Sequence, residues 1–193
     1  LNGVTLEALK EHQFVKLDMT PQQTFLEHLP TRSGKIELYS SAMMEAGLPP
    51  LPEYVPLQEG YDGERRPGVD DHFPLMFISP PNHNFLNSTF ANVEKLKKIE
   101  KAPTLQIHPQ DAGARGIEDH DDVIVFNLRG RYELKAMVTD KMLPGTVISQ
   151  GLWWEKDGRK QRANVLTPDR LADMGEGATF FSTTVEVSKA VVK

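Results

Sequence analysis

The chain has 193 residues, of which 39% are hydrophobic and 25% charged, with no cysteine and a formal net charge of -5 at pH 7. This is globular composition with length for one moderate core and an appended piece, and the lack of cysteine excludes disulfides, thiolate metal ligands, iron–sulfur ligation and cysteine nucleophiles within these residues. The acidic balance argues against nucleic acid held by phosphate neutralisation, and no apolar stretch reaches bilayer-spanning length.

The opening "LNGVTLEALKEHQFVKL" has no initiating methionine, basic start or cleavage-type signal, so the chain is expected to be a piece of a longer polypeptide. Residues 1–71 read as the end of a preceding domain running into an extended, proline- and glycine-rich linker. Within them "SGKIELYS" predicts a short strand entered through a turn at Ser33 and Gly34, and a short helix is expected near Ser41 to Ala46. From residue 72 to 193 the pattern is that of a compact domain. "FPLMFIS" predicts a strand, and Val93, Leu96 and Ile99 recur at the spacing of a short helix with a lysine-rich outer face. "PTLQI" is a strand followed by a helix with His108 before it, Pro109 opening it and Gly116 closing it. "DVIVFN" and "RYELKAMVTD" flank a hairpin turn "NLRG", whose glycine is expected to supply a special dihedral. "PGTVISQG" predicts a further strand, "TPDRLADMG" a helix capped by Thr167, and "ATFFSTTVEVS" a terminal strand. Short strands with brief helices between them, closing on a C-terminal strand, suggest a small β-barrel.

Three stretches could carry chemistry. "FISPPNHNFLNSTFAN" sets asparagines at 82, 84, 87 and 92 beside His83, Ser79, Ser88 and Thr89 without a carboxylate, lysine or arginine. Such side chains offer both donors and acceptors and suit a polar-edged ring such as a purine or pterin, while Pro80 and Pro81 stiffen the exit from the strand. The same residue types also simply make turns, and both readings stand on the residues alone. "GLWWEKDGRKQRANVLT" pairs Trp153 and Trp154 with a basic loop and Asn164, an aromatic wall beside an anion, although tryptophans adjacent in an extended chain face opposite ways. "IEDHDD" sets four carboxylates around His120, as a metal site or as an ordinary acidic turn; it lacks the ligand spacing of a recognised loop. The chain holds no HExxH, GxSxG, GxGxxG or GxxxxGK[ST] signature.

Five blocks in order, "RSGKIELYS", "FPLMFISPPNHNFLNSTFAN", "IHPQDAGARGIEDHDDVIVFNLRG", "VTDKMLPGTVISQGLWW" and "NVLTPDRLADMGEGATFFSTTVEV", resemble the C-terminal molybdopterin dinucleotide-binding domain of molybdopterin oxidoreductases of the dimethyl sulfoxide reductase superfamily. The resemblance implies a mainly β fold with short peripheral helices, a double-psi β-barrel preceded by an extended linker. It implies a molybdopterin guanine dinucleotide carrying molybdenum or tungsten, lined by Ser79, Pro80, Pro81, Asn82, His83, Asn84, Phe85, Asn87, Ser88, Trp153, Trp154, Asn164 and Phe181. Catalytic metal ligands and any iron–sulfur cluster would lie in the rest of the oxidoreductase, whose other domains are the implied partners along with an electron-transfer subunit. Two departures from the family pattern stand out: "SPPNHN" where many members carry an arginine, and His120-Asp121 where the family turn usually reads Gly-Asp. The first leaves the diphosphate to backbone amides or another domain; the second puts a non-glycine where a left-handed conformation is expected. The alternatives are a free-standing β-barrel ligand-binding or assembly module without redox activity, and a nucleic-acid-binding barrel that the acidic balance disfavours.

Overall fold

The computed structural model describes residues 4–17, 29–54, 57, 59, 72–151, 153, 154 and 162–190. The chain divides into two compact units, Leu1–Tyr54 and Val55–Lys193. The first holds two short helices, α1 (Leu6–His12) and α2 (Ser41–Glu45), each capped by a hydroxyl: Thr5 accepts from the Ala8 amide and Ser40 from the Met43 amide. The strand expected at "SGKIELYS" is absent. Its residues fold into local turns, with the Ser33 amide donating to Glu37 and the Thr31 hydroxyl to the Lys35 carbonyl, while Ile36 and Leu38 stay exposed. A lone extended segment without a pairing strand has no ladder to hold it.

The second unit is built from β1 (Leu75–Ile78), α3 (Glu94–Glu100), β2 (Thr104–Ile107), α4 (Pro109–Gly113), β3 (Asp122–Phe126), β4 (Arg131–Val138), β5 (Thr146–Ile148), a 3-10 turn at Ala163–Val165 and β6 (Thr184–Lys189). The strands close into a barrel in the order β1-β5-β2-β4-β3-β6. Two pairs are parallel, β1 with β5 and β2 with β4, and the rest antiparallel, the arrangement expected of a double-psi barrel. Side chains alternate as the two-residue period requires. Leu75, Phe77, Leu105, Ile107, Val123, Val125, Tyr132, Leu134, Val147, Val185 and Val187 point into one core, completed by Ala112, Ile117, Ala163 and Leu166. Charges on β4, at Arg131, Glu133 and Lys135, face outward.

Several local expectations change. "TPDRLADMG" forms no helix: Leu171 bridges Ala178 and the Ala172 amide donates to the Gly177 carbonyl, so the segment doubles back as a small lobe. A helix this short is marginal without a buried face, and here the pairing within the lobe wins. The terminal strand starts only at Thr184, because a turn at Thr179–Ser182 swings Phe180 and Phe181 out of the ladder. The hairpin glycine, Gly130, is required for close approach rather than for its dihedral: a Cβ there would lie 2.9 Å from the Val165 carbonyl oxygen. The acidic turn is consumed by the fold. Asp119 accepts the Val138 amide, Asp121 accepts the Glu118 amide and pairs with Lys189, and Asp122 pairs with Lys135. His120 takes a φ of 68°, the left-handed geometry that its position demands. Among the described residues no group of three or more metal-ligating side chains converges.

Candidate functional site

β1 and β5 run parallel, so their C-terminal ends emerge side by side, and the ladder continues past both: the Ser149 amide donates to Ile78 and the Gly151 amide to Pro80. Over these ends opens a cavity of about 590 Å³. Its lining comes from Ser79, Pro80, Pro81 and Asn87 in the loop after β1, Gly151 after β5, Ala163, Asn164, Thr167 and Pro168 at and after the 3-10 turn, and Ala178, Phe180 and Phe181 before β6. None of these lining residues carries a charge. Phe180 and Phe181, their centroids 4.4 Å apart and their planes inclined at 62°, are both half-exposed and offer an apolar aromatic surface.

Two buried polar atoms in the segments that follow β1 and β5 lack partners among the described residues. Asn82 is 5% exposed and its Nδ2 makes no hydrogen bond; Ser149, fully buried, leaves its Oγ unpaired. Buried groups of this kind are rare and costly, about 1–3 kcal/mol each, so they mark a place where a polar ligand edge or an ordered water completes the set. The Asn82 amide is packed on Gly151, where a Cβ would come within 1.8 Å of Nδ2 and where φ is +86°. Only glycine combines that backbone with that contact.

The remaining loop residues have structural partners. Asn87, with φ 52°, occupies the tight turn in which Leu86 and Thr89 exchange backbone hydrogen bonds. Asn84 donates through its backbone and side-chain amides to Glu100 at the end of α3. Phe85 and Trp153 meet edge to face at 5.4 Å and, with Ala91 and Leu96, make a second small core that latches the loop to the segment after β5. Trp154 is partly exposed and donates to the Ser88 carbonyl, while His83 and Ser88 lie on the surface. Of the residues singled out from sequence, the fold therefore gathers Ser79, Pro80, Pro81, Asn87, Asn164 and Phe181 on the cavity, with Asn82 beneath it. Asn84, Phe85, Ser88, Trp153 and Trp154 stand behind the wall, and His83 lies outside the lining. Gly151, Thr167, Pro168 and Phe180 were not singled out. Thr167 and Pro168 carry a helix-start signal that masked them, whereas Gly151 was legible only as a strand end. The basic loop of "KDGRKQR" falls outside the described residues except for Arg162.

Residues 75–184, more than half of the chain, match the family described as "Molydopterin dinucleotide binding domain". The chain belongs to this family. As a molybdopterin dinucleotide-binding domain it is 48% identical over 189 residues to the probable oxidoreductase YoaE of Bacillus subtilis, covering 98% of this chain and 26% of that protein. It is 32% identical over 176 residues to the dimethyl sulfoxide reductase DmsA of Escherichia coli K12, covering 83% of this chain and 21% of that one. Among solved structures, acetylene hydratase from Pelobacter acetylenicus shares the fold, with a TM-score of 0.69 and 22% identity over 84% of this chain and 24% of the other. The chain thus spans about a quarter of the length of these relatives.

The neutral cavity, with amide and hydroxyl side chains and an aromatic pair in its lining, fits a heterocyclic dinucleotide ligand chemically.

Proposed function

We propose that the cavity over β1 and β5 takes part of a molybdopterin guanine dinucleotide, and that this chain is the C-terminal cofactor-binding part of a molybdenum- or tungsten-dependent oxidoreductase. The observation that carries this is an uncharged cavity over the ends of β1 and β5, with the unpaired buried Nδ2 of Asn82 packed on Gly151 of its lining, in a chain of this family. Ser79, Asn87, Asn164 and Phe181 would hold the ligand directly, and Asn82 from below. His83, Asn84, Phe85, Ser88, Trp153 and Trp154 would shape and support that wall. The bound cofactor supplies two-electron redox or oxygen-atom chemistry at its metal; these residues bind it, orient it and keep water from its edges. Residues 1–71 would then close a preceding domain and lead into the barrel of 72–193. Metal ligands, any iron–sulfur cluster and the contact with an electron-transfer subunit belong to the remaining domains.

The test is elemental quantification of molybdenum and tungsten in the intact parent protein purified from its own host, with release and identification of guanine nucleotide. Near-stoichiometric metal with a pterin guanine dinucleotide is expected. A folded, undegraded preparation lacking both would overturn the proposal.

A further inference from the structure

A charged clamp connects two of the segments that line the cavity. The Glu59 carboxylate receives two hydrogen bonds from Arg129, at 2.8 and 2.7 Å, and a third from Arg170 at 2.7 Å. Arg129 lies on the β3–β4 hairpin, and its Nε donates at 2.8 Å to the Leu166 carbonyl, which also accepts from Asn127 Nδ2 at 2.8 Å. Leu166 directly follows the 3-10 turn that presents Ala163 and Asn164 to the cavity, and Gly130 packs against Val165 in the same turn. Arg170 lies between Pro168, on the cavity, and the Leu171–Ala178 bridge from which Phe180 and Phe181 project; its carbonyl accepts from the Thr179 hydroxyl. One carboxylate thereby ties the hairpin that braces Asn164 to the lobe that carries the aromatic pair. The Glu59 side chain is 23% exposed against 32% for Arg129 and 43% for Arg170, so solvent screens the pairs in part and the bidentate, shared geometry carries the contact.

We infer that Glu59, with Arg129 and Arg170, is a positioning device for the dinucleotide: it sets the separation between the Asn164–Pro168 wall and the Phe180–Phe181 surface without touching the ligand. This rests on the cavity being the cofactor site. Residues 171–178 of the lobe are all exposed, and its apex holds Met174 and Glu176 at positive φ. Releasing Arg170 would leave the barrel closed while letting the lobe swing, and a ligand gripped from two sides would then dissociate faster.

The experiment uses the intact enzyme and two readouts: guanine nucleotide retained per polypeptide after prolonged dilution, and the rate of cleavage at Glu176 by a glutamate-specific protease. For Glu59→Gln and for Arg170→Gln, nucleotide retention is expected to fall roughly fivefold, as loss of about one well-formed ion pair allows, with cleavage at Glu176 accelerated by a similar factor. Arg170→Lys should retain nucleotide near the unmodified level, because Arg170 contributes a single bond to the carboxylate that an ammonium can replace. If Glu59→Gln unfolds the domain, Arg170→Gln, which leaves the Arg129 pair in place, decides the question. Unchanged retention and cleavage in Arg170→Gln, while Asn164→Ala loses nucleotide, would overturn the clamp and leave the cavity assignment intact. Accelerated cleavage with no nucleotide loss in either Arg170→Gln or Asn164→Ala would overturn the cavity assignment, and the positioning role with it.

Discussion

At Asn82 the buried side-chain Nδ2 makes no hydrogen bond among the described residues, and beside it Gly151 has no room for a side chain. These facts predict effects of opposite sign. Asn82→Leu, which keeps the number and branching of the heavy atoms and removes the unpaired donor, should leave cofactor-free protein as stable as before or more stable by up to about 1–3 kcal/mol, yet lower the cofactor bound. Urea denaturation and nucleotide content together check this; a loss of cofactor-free stability would show that the amide has a structural partner. Gly151→Ala should cost about 1–2 kcal/mol for the left-handed backbone alone, plus the displacement of Asn82. A double variant Gly151→Ala, Asn82→Ala should recover the displacement part and not the backbone part, giving a measurable coupling energy. Asparagines were conspicuous in the sequence, but their division of labour was not. Asn84 binds Glu100, Asn87 makes a turn that also lines the cavity, and Asn82 is buried, three fates for one residue type that only neighbours distant in sequence could assign.

At the scale of elements, the loop after β1 is held by its own small core, in which Phe85 and Trp153 latch it to the segment after β5. Trp153→Ala should destabilise by about 3–5 kcal/mol and raise amide exchange across residues 82–91 more than in the barrel strands. Uniform exchange across both would mean that the second core is not a separate unit. The charged clamp has its own pH signature. Burial raises the pKa of Glu59, but the hydrogen bonds and charges of Arg129, the charge of Arg170 and the Thr184 backbone outweigh it and leave the carboxyl below its usual value. A carboxyl depressed in the folded state stabilises it fully above the unfolded pKa and loses that contribution as the pH falls through the folded value. Protection of Glu176 from cleavage should therefore hold through the neutral range and fail only in acid below the ordinary glutamate range; Glu59→Gln should abolish this dependence. Strands with alternating burial were read correctly from their two-residue period. The segment 167–175 was not, since its cap and proline look like a helix start while pairing of Leu171 with Ala178 decides its course.

At the scale of the molecule, the closed barrel has no free edge, and its core is drawn from every strand, so it needs no metal or disulfide to fold. The 193-residue chain produced by itself should fold cooperatively yet turn over no artificial electron donor, because the metal ligands of the proposed enzyme lie in its other domains. Turnover by the pure chain would contradict that assignment. Comparison of its circular dichroism and donor oxidation with those of the intact enzyme checks both halves.

The amino-acid order by itself determined most of the barrel strands, the barrel class and the family, because these depend on local periodicity, glycine and proline placement, and ordered blocks of residues. The tertiary structure alone decided which asparagine is buried, that Gly130 and Gly151 are needed for close contacts, and that Glu59 reaches Arg129 and Arg170 across 70 and 111 positions of sequence. Such contacts arise from the closure of the barrel, which brings together groups that no local pattern relates.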